Sequence, residues 1–241
     1  MTSQLRLGDI VVEVTKKDIK NVHLSVHPPT GAVTIAAPRR MNMEAIRLFA
    51  ISKLPWIKQN QKKLRSQDRE PPRDYVDRES HYVWGKRYLL KLVPSDGPAT
   101  IILKHKTIEL HARKGLPADK LEAIVEAWYR EQLKAAVPRL LEEWQPRLGV
   151  KAAKFFVRRM KTKWGSSNPQ RRTIRLNTEL AKKPPECLAY IVVHELSHFL
   201  SHRHDDRFLG VLDKHMPQWR SIRETLNSSP LRHEAWKNSK D

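Results

Sequence analysis

Apolar and polar residues alternate along the first part of the chain. Ile10, Val12 and Val14 form one such run, Val22, Leu24 and Val26 another, and Val33 and Ile35 follow Pro28-Pro29-Thr30-Gly31. A period of two, broken by a Pro/Gly turn, predicts strands in a hairpin or meander. At Asn42 the period changes. Met43, Ile46, Phe49, Ala50, Leu54 and Ile57 recur at helical spacing, with Asn42 placed to cap the helix and Pro55 placed to kink or divide it. Residues 66–77 are polar and hold two prolines, as a linker would. A second strand set is predicted at Tyr82 to Val93, Thr100 to Leu103 and Thr107 to His111, with turns at Gly85 and at Ser95 to Pro98. The apolar stripe from Leu121 through Trp128 and Val137 to Trp144 predicts a long helix over residues 118–144, bent at Pro138. Beyond it come a strand at Lys154 to Val157, a loop around Trp164 to Pro169 and a strand at Thr173 to Leu176. Helices follow from Pro185, from Asp206 to His215 and from Gln218 to Leu226, then a loose tail. No internal repeat is evident.

Composition narrows the function classes. The 241 residues can bury a core in one large domain or two small ones. No apolar run is long enough to span a membrane, and the N-terminus lacks a secretory signal. Cys187 is the single cysteine, which excludes an internal disulfide and argues against a cysteine-based zinc site. A cytoplasmic protein is therefore expected. The formal net charge is +20, which makes nucleic acid a candidate partner. Basic runs at Lys16-Lys17, Lys62 to Arg65, Arg158 to Lys161 and Arg171-Arg172 could track phosphates or simply be solvated faces.

The strongest chemical signal is His194-Glu195-Leu196-Ser197-His198. On a helix this spacing puts both imidazoles on one face, one turn apart, within reach of one ion, and zinc suits neutral imidazole. Glu195, about 100° around the helix, is placed to act as general base on a water at the metal. The apolar flank from Leu188 to Val193 argues for a buried helix rather than two ordinary surface histidines. A third ligand is needed. His202 would follow up the same face of an unbroken helix, but a straight helix cannot bring three stacked rings onto one ion. His204, beyond a turn after Leu200, has the better reach, and a distant glutamate is the weaker alternative.

These residues resemble a known family. The run from His194 to Leu200, then His204 to Phe208 and Met216 to Trp219, is similar to the YgjP-like (DUF45) metallopeptidases, relatives of the SprT-like and WLM zinc proteases. Lys161 to Ser167 resembles that family's Trp-Gly-Ser-Cys stretch, with Ser167 where cysteine is common, and Ile174 to Asn177 resembles its Ile-x-Leu-Asn segment. The resemblance implies a zinc peptidase with one Zn2+ per chain, His194, His198 and His204 as ligands, and Glu195 as base. It implies an α+β fold: a zincin-like core over residues 118–241, with a mixed sheet edge plus the HExxH helix. In front lie a β-rich N-terminal region over residues 1–77 and a second β segment over residues 78–117. The strand at Thr173 to Leu176 is expected to form the cleft's upper edge and to pair with substrate. Trp164, Arg175, Asn177 and His202 are candidate substrate contacts. Asp205 or Asp206 could orient a ligand imidazole or cap the next helix, and Met216-Pro217 could floor the metal. The competing class is a basic nucleic-acid-binding module whose metal is structural or serves another hydrolysis, and the two combine if the substrates are proteins on nucleic acid.

Overall fold

The computed structural model describes residues 2–27, 31–65, 73–160 and 163–228. The Pro28-Pro29-Thr30 turn, residues 66–72 of the linker, Lys161 and the tail after residue 228 lie outside them. The chain divides into two compact units, with the boundary between residues 72 and 73.

The first unit holds strands β1 (Thr2–Leu7), β2 (Ile10–Lys17), β3 (His23–His27) and β4 (Ala32–Pro38), followed by helices α1 (Met43–Ser52) and α2 (Leu54–Arg65). The alternation along β2 buries Ile10, Val12 and Val14 and turns Val11 and Glu13 outward. These side chains pack with Ile46, Ala50 and Ile57 of the helices. Asn42 caps α1, its Oδ1 accepting from Ala45 N at 2.8 Å. The helical stretch breaks at Lys53, which places Pro55 in the first turn of α2, where its missing N–H is tolerated.

The second unit begins with β5 (Ser80–Val83), β6 (Lys86–Pro94), β7 (Thr100–Leu103) and β8 (Thr107–Ala112). The two four-stranded sheets share one topology, which the sequence does not reveal. Their orders are β1-β2-β4-β3 and β5-β6-β8-β7. In each the central pair is parallel and the outer pairs are antiparallel. A plain meander is thus ruled out for both, because β2 and β6 skip the next strand in sequence.

Helix α3 (Ala118–Leu148) continues through Pro138 and ends at Gly149, which takes the left-handed conformation at φ 63°. Strands β9 (Lys154–Arg158), β10 (Gly165–Asn168) and β11 (Thr173–Asn177) form a third sheet in the order β10-β11-β9. A 3-10 turn (Thr178–Lys182), α4 (Pro185–Ser197), α5 (Asp206–His215) and α6 (Trp219–Ser228) complete the described chain. Helix α4 is buried nearly all round, from Cys187 to Ser197, as a helix with apolar residues on every face must be. Its approach is fixed by the β5–β6 turn, where Trp84 N donates to Ala181 O at 2.8 Å and Gly85 N to Lys182 O at 3.2 Å. No helix among the described residues is long and apolar enough to cross a membrane.

Candidate metal centre

Helix α4 starts at Pro185, a residue suited to a first helical turn, and delivers His194 and Glu195 from its last turn. His198 is its C-terminal cap. The chain then folds back, with Phe199 N donating to Leu196 O and Ser201 N to Ser197 O. Ser201 closes this turn by its side chain. Its hydroxyl lies 2.9 Å from both carboxylate oxygens of Asp205, and Asp205 caps α5 by accepting from Phe208 N at 2.9 Å. That return brings His204 beside α4.

The structure brings three imidazoles together. His194, His198 and His204 each offer a nitrogen, and these atoms lie within 4.8 Å of one another. His194 Nε2 and His204 Nε2 are 3.2 Å apart. Two nitrogens bound to one tetrahedral ion at about 2.0–2.1 Å would stand about 3.3–3.4 Å apart, so the pair needs little movement to share a cation. His198 Nδ1 donates to Ser201 O at 3.2 Å, which fixes its tautomer and leaves Nε2 free to coordinate. Burial, and then the neighbouring His198 and His204, push His194 down to about 3, and burial lowers His198 despite the opposing Ser201 carbonyl. Neutral imidazole is the form that ligates a metal. His194 Nδ1 is buried without a hydrogen-bond partner. These donors fit a divalent ion of the zinc type.

The floor under the three rings is Phe208, not Met216. Its ring centroid lies 5.0, 4.8 and 4.7 Å from those of His194, His198 and His204. Met216 ends α5 and does not line the cleft.

Glu195 is 4% exposed. Burial raises its carboxyl to about 7, against the pull of a Ser167 hydrogen bond and the Lys163 charge. A group that ionises near neutral pH can both take and return a proton there. Gly165 makes room for it. A Cβ at that position would sit 2.5 Å from Glu195 Oε1 and 2.9 Å from Ile191 Cγ2.

The rings open onto a cleft of about 500 Å³, lined in part by Lys163, Trp164, Gly165, Ser167, Tyr190, His202 and Arg223. Of the four candidate substrate contacts, Trp164 and His202 line it, while Arg175 and Asn177 do not. Arg175 sits on β11 between Ser166 and Phe156. Asn177 is buried and its amide is spent on backbone. It donates to Met160 O and Lys163 O and accepts from Met160 N and Glu179 N. Asp205 caps α5 and accepts from Ser201, and among the described residues no hydrogen bond joins it to the three imidazoles. The expected cleft edge also moves. Strand β11 is central, with β9 and β10 on its two sides, so it cannot pair with a substrate. The edge that lines the cleft is β10, read from sequence as a loop. Gly165-Ser166-Ser167-Asn168 carries no apolar alternation or β-branched residue to announce a strand. Sequence reasoning also missed Phe208 and Arg223, which reach the site from α5 and α6. The stacking of Tyr190 on Trp219, centroids 6.4 Å apart, connects α6 to the cleft.

A family model described as YgjP-like, metallopeptidase domain, matches residues 20–229. Among solved structures, the chain is similar to the metallopeptidase zymogen of Pyrococcus abyssi abylysin, at 23% identity over 40% of this chain and 99% of that one, with a TM-score of 0.36. It is also similar to the metallopeptidase zymogen of Methanocaldococcus jannaschii jannalysin, at 25% identity over 37% of this chain and 92% of that one, with a TM-score of 0.34. No curated protein matches.

Proposed function

The chain belongs to the YgjP-like metallopeptidase family, and from that premise we propose that it is a zinc peptidase in which His194, His198 and His204 hold the ion and Glu195 is the general base. Membership of a metallopeptidase family implies a metal ion. The observation that carries the residue assignment is the convergence of three imidazole nitrogens within 4.8 Å beside a buried carboxylate. Three imidazoles with an open position favour zinc. Zinc bound there supplies Lewis acidity that polarises a peptide carbonyl and makes water a nucleophile near neutral pH. Glu195 takes the proton from the attacking water and passes it to the departing amine nitrogen. Ser167 holds the Glu195 carboxylate by its hydroxyl. Among the described residues β10 has no strand on its outer side, so an extended peptide could add there as a strand and lay a carbonyl across the histidines.

Glu195→Gln tests the assignment. It keeps the size of the side chain and removes the base, so bound metal is retained while cleavage of an unfolded protein falls by about 10²-fold or more. Undiminished cleavage by this variant would exclude Glu195 as the base.

A further inference from the structure

The cleft holds two cations that the proposed hydrolysis does not use. Lys163 and Arg223 both line it, both are exposed, and among the described residues neither is paired with a carboxylate. The structure gives each an anchor, at the backbone for Lys163 and at the side chain for Arg223. Asn177 Nδ2 donates to Lys163 O at 2.8 Å, which fixes the backbone from which that side chain extends. The Arg223 guanidinium carbon lies 6.0 Å from the Trp219 ring centroid. Trp219 stacks on Tyr190, and the Tyr190 ring meets His194 edge-on at 5.7 Å. The two charges reach different parts of the centre: Lys163 acts on Glu195 and His198, Arg223 on His194 and Tyr190. Glu195 is the one carboxylate among the described lining residues, and it is buried. A peptide lying in this cleft would therefore meet two positive charges that no carboxylate among the described residues pairs with. Acidic side chains would be attracted there and basic ones repelled.

We infer that Lys163 and Arg223 form an acid-selecting subsite, so that the preferred substrate is a peptide carrying Asp or Glu beside the scissile bond. This inference rests on the peptidase reading of the same cleft. A volume of about 500 Å³ suits a few peptide side chains, which favours an acidic peptide over a duplex nucleic acid.

The test separates the subsite from the chemistry. Zinc-loaded Glu195→Gln protein is titrated at low salt, by fluorescence anisotropy, with three labelled peptides of one scaffold that carry Glu, Gln or Lys on both sides of the same bond. The Glu peptide should bind roughly fivefold tighter than the Gln peptide, and the Lys peptide more weakly than either. Adding Arg223→Glu or Lys163→Glu should erase or invert that order. Adding Arg113→Glu, which makes the same charge change at an exposed position outside the cleft, should preserve it. No preference for Glu, or equal loss of preference with Arg113→Glu, overturns the subsite and leaves only the overall charge. Tighter binding of a single-stranded thymidine decanucleotide than of the Glu peptide, lost on Arg223→Glu, also overturns it, because the cleft would then select phosphate. Hydrolysis of the same peptides by protein with Glu195 intact is read separately. Cleavage without charge preference removes the subsite alone. Ordered binding without cleavage of any peptide supports the subsite and removes the peptidase reading.

Discussion

At the scale of single residues, the Glu195 carboxylate, the proposed base, is held by its surroundings rather than by its own helix alone. Burial pushes Glu195 up to about 7, and Gly165 leaves the space it occupies. Gly165→Ala would place a methyl group 2.5 Å from Glu195 Oε1 and 2.9 Å from its Cγ. The carboxylate must then move, and a displacement of about 1 Å at a reacting group can cost about 10²-fold in rate. We predict that Gly165→Ala retains metal and fold, checked by metal analysis and circular dichroism, while peptide cleavage falls to about one hundredth of the wild-type rate. His194, Glu195 and His198 were legible in the sequence because a helix converts their spacing directly into geometry. His204 was legible only as the better of two neighbours, since the choice depends on the turn that Ser201 and Asp205 close. Phe208 and Arg223 were not legible as site residues, because each reaches the cleft through packing of another element.

At the scale of elements, the β5–β6 turn positions the segment that leads into α4. Gly85 has φ +78°, and a Cβ there would lie 3.0 Å from Pro184 Cγ and 3.1 Å from Pro184 Cα. Gly8 occupies the equivalent turn of the first sheet, at φ +63°, with nothing within 4 Å of its Cβ position. Gly85→Ala should therefore destabilise by about 1–3 kcal/mol in urea unfolding, and Gly8→Ala by less. The same strand pair contains a pH-sensitive group. His81, on β5, is 1% exposed. Burial, and then the Arg73 and Lys182 charges, push it down to about 3. Glu79 Oε1 lies 3.3 Å from His81 Nε2, yet that carboxylate is already engaged by Arg73 and by the backbone amides of Asp74 and Tyr75, so burial prevails. The folded pKa is thus below the unfolded value of 6.5, and the unfolded chain takes up a proton that the folded chain does not. The stability this group confers is complete above pH 6.5 and is lost as pH falls toward 3, with a slope of about 1.4 kcal/mol per pH unit. Urea midpoints of metal-free protein should fall between pH 7 and pH 4, less steeply in His81→Phe. An unchanged slope in that variant would contradict the assignment. The strand periodicity that located β2, β6 and β8 could not locate β10, whose place depends on pairing with β11 rather than on its own residues.

At the scale of the molecule, two sheets of identical strand order stand in separate units, one leading to α1 and α2 and the other to α3. Alternation along the chain revealed most of their strands but not their order, because the parallel pairing of β2 with β4 and of β6 with β8 is a property of residues distant in sequence. Among the described residues, the second unit carries the whole candidate metal centre, from β10 to α6. Its histidines come from the end of one helix and the turn before the next, so metal binding should depend on His204 and not on His202. Elemental analysis of metal bound to the intact chain, purified without chelator, tests this most directly. We expect about one zinc per chain in the wild type and in His202→Ala, and little or none in His204→Ala after equilibration with a weak chelator. Full metal content in His204→Ala, or its loss in His202→Ala alone, would contradict the three-imidazole centre on which the proposed chemistry stands.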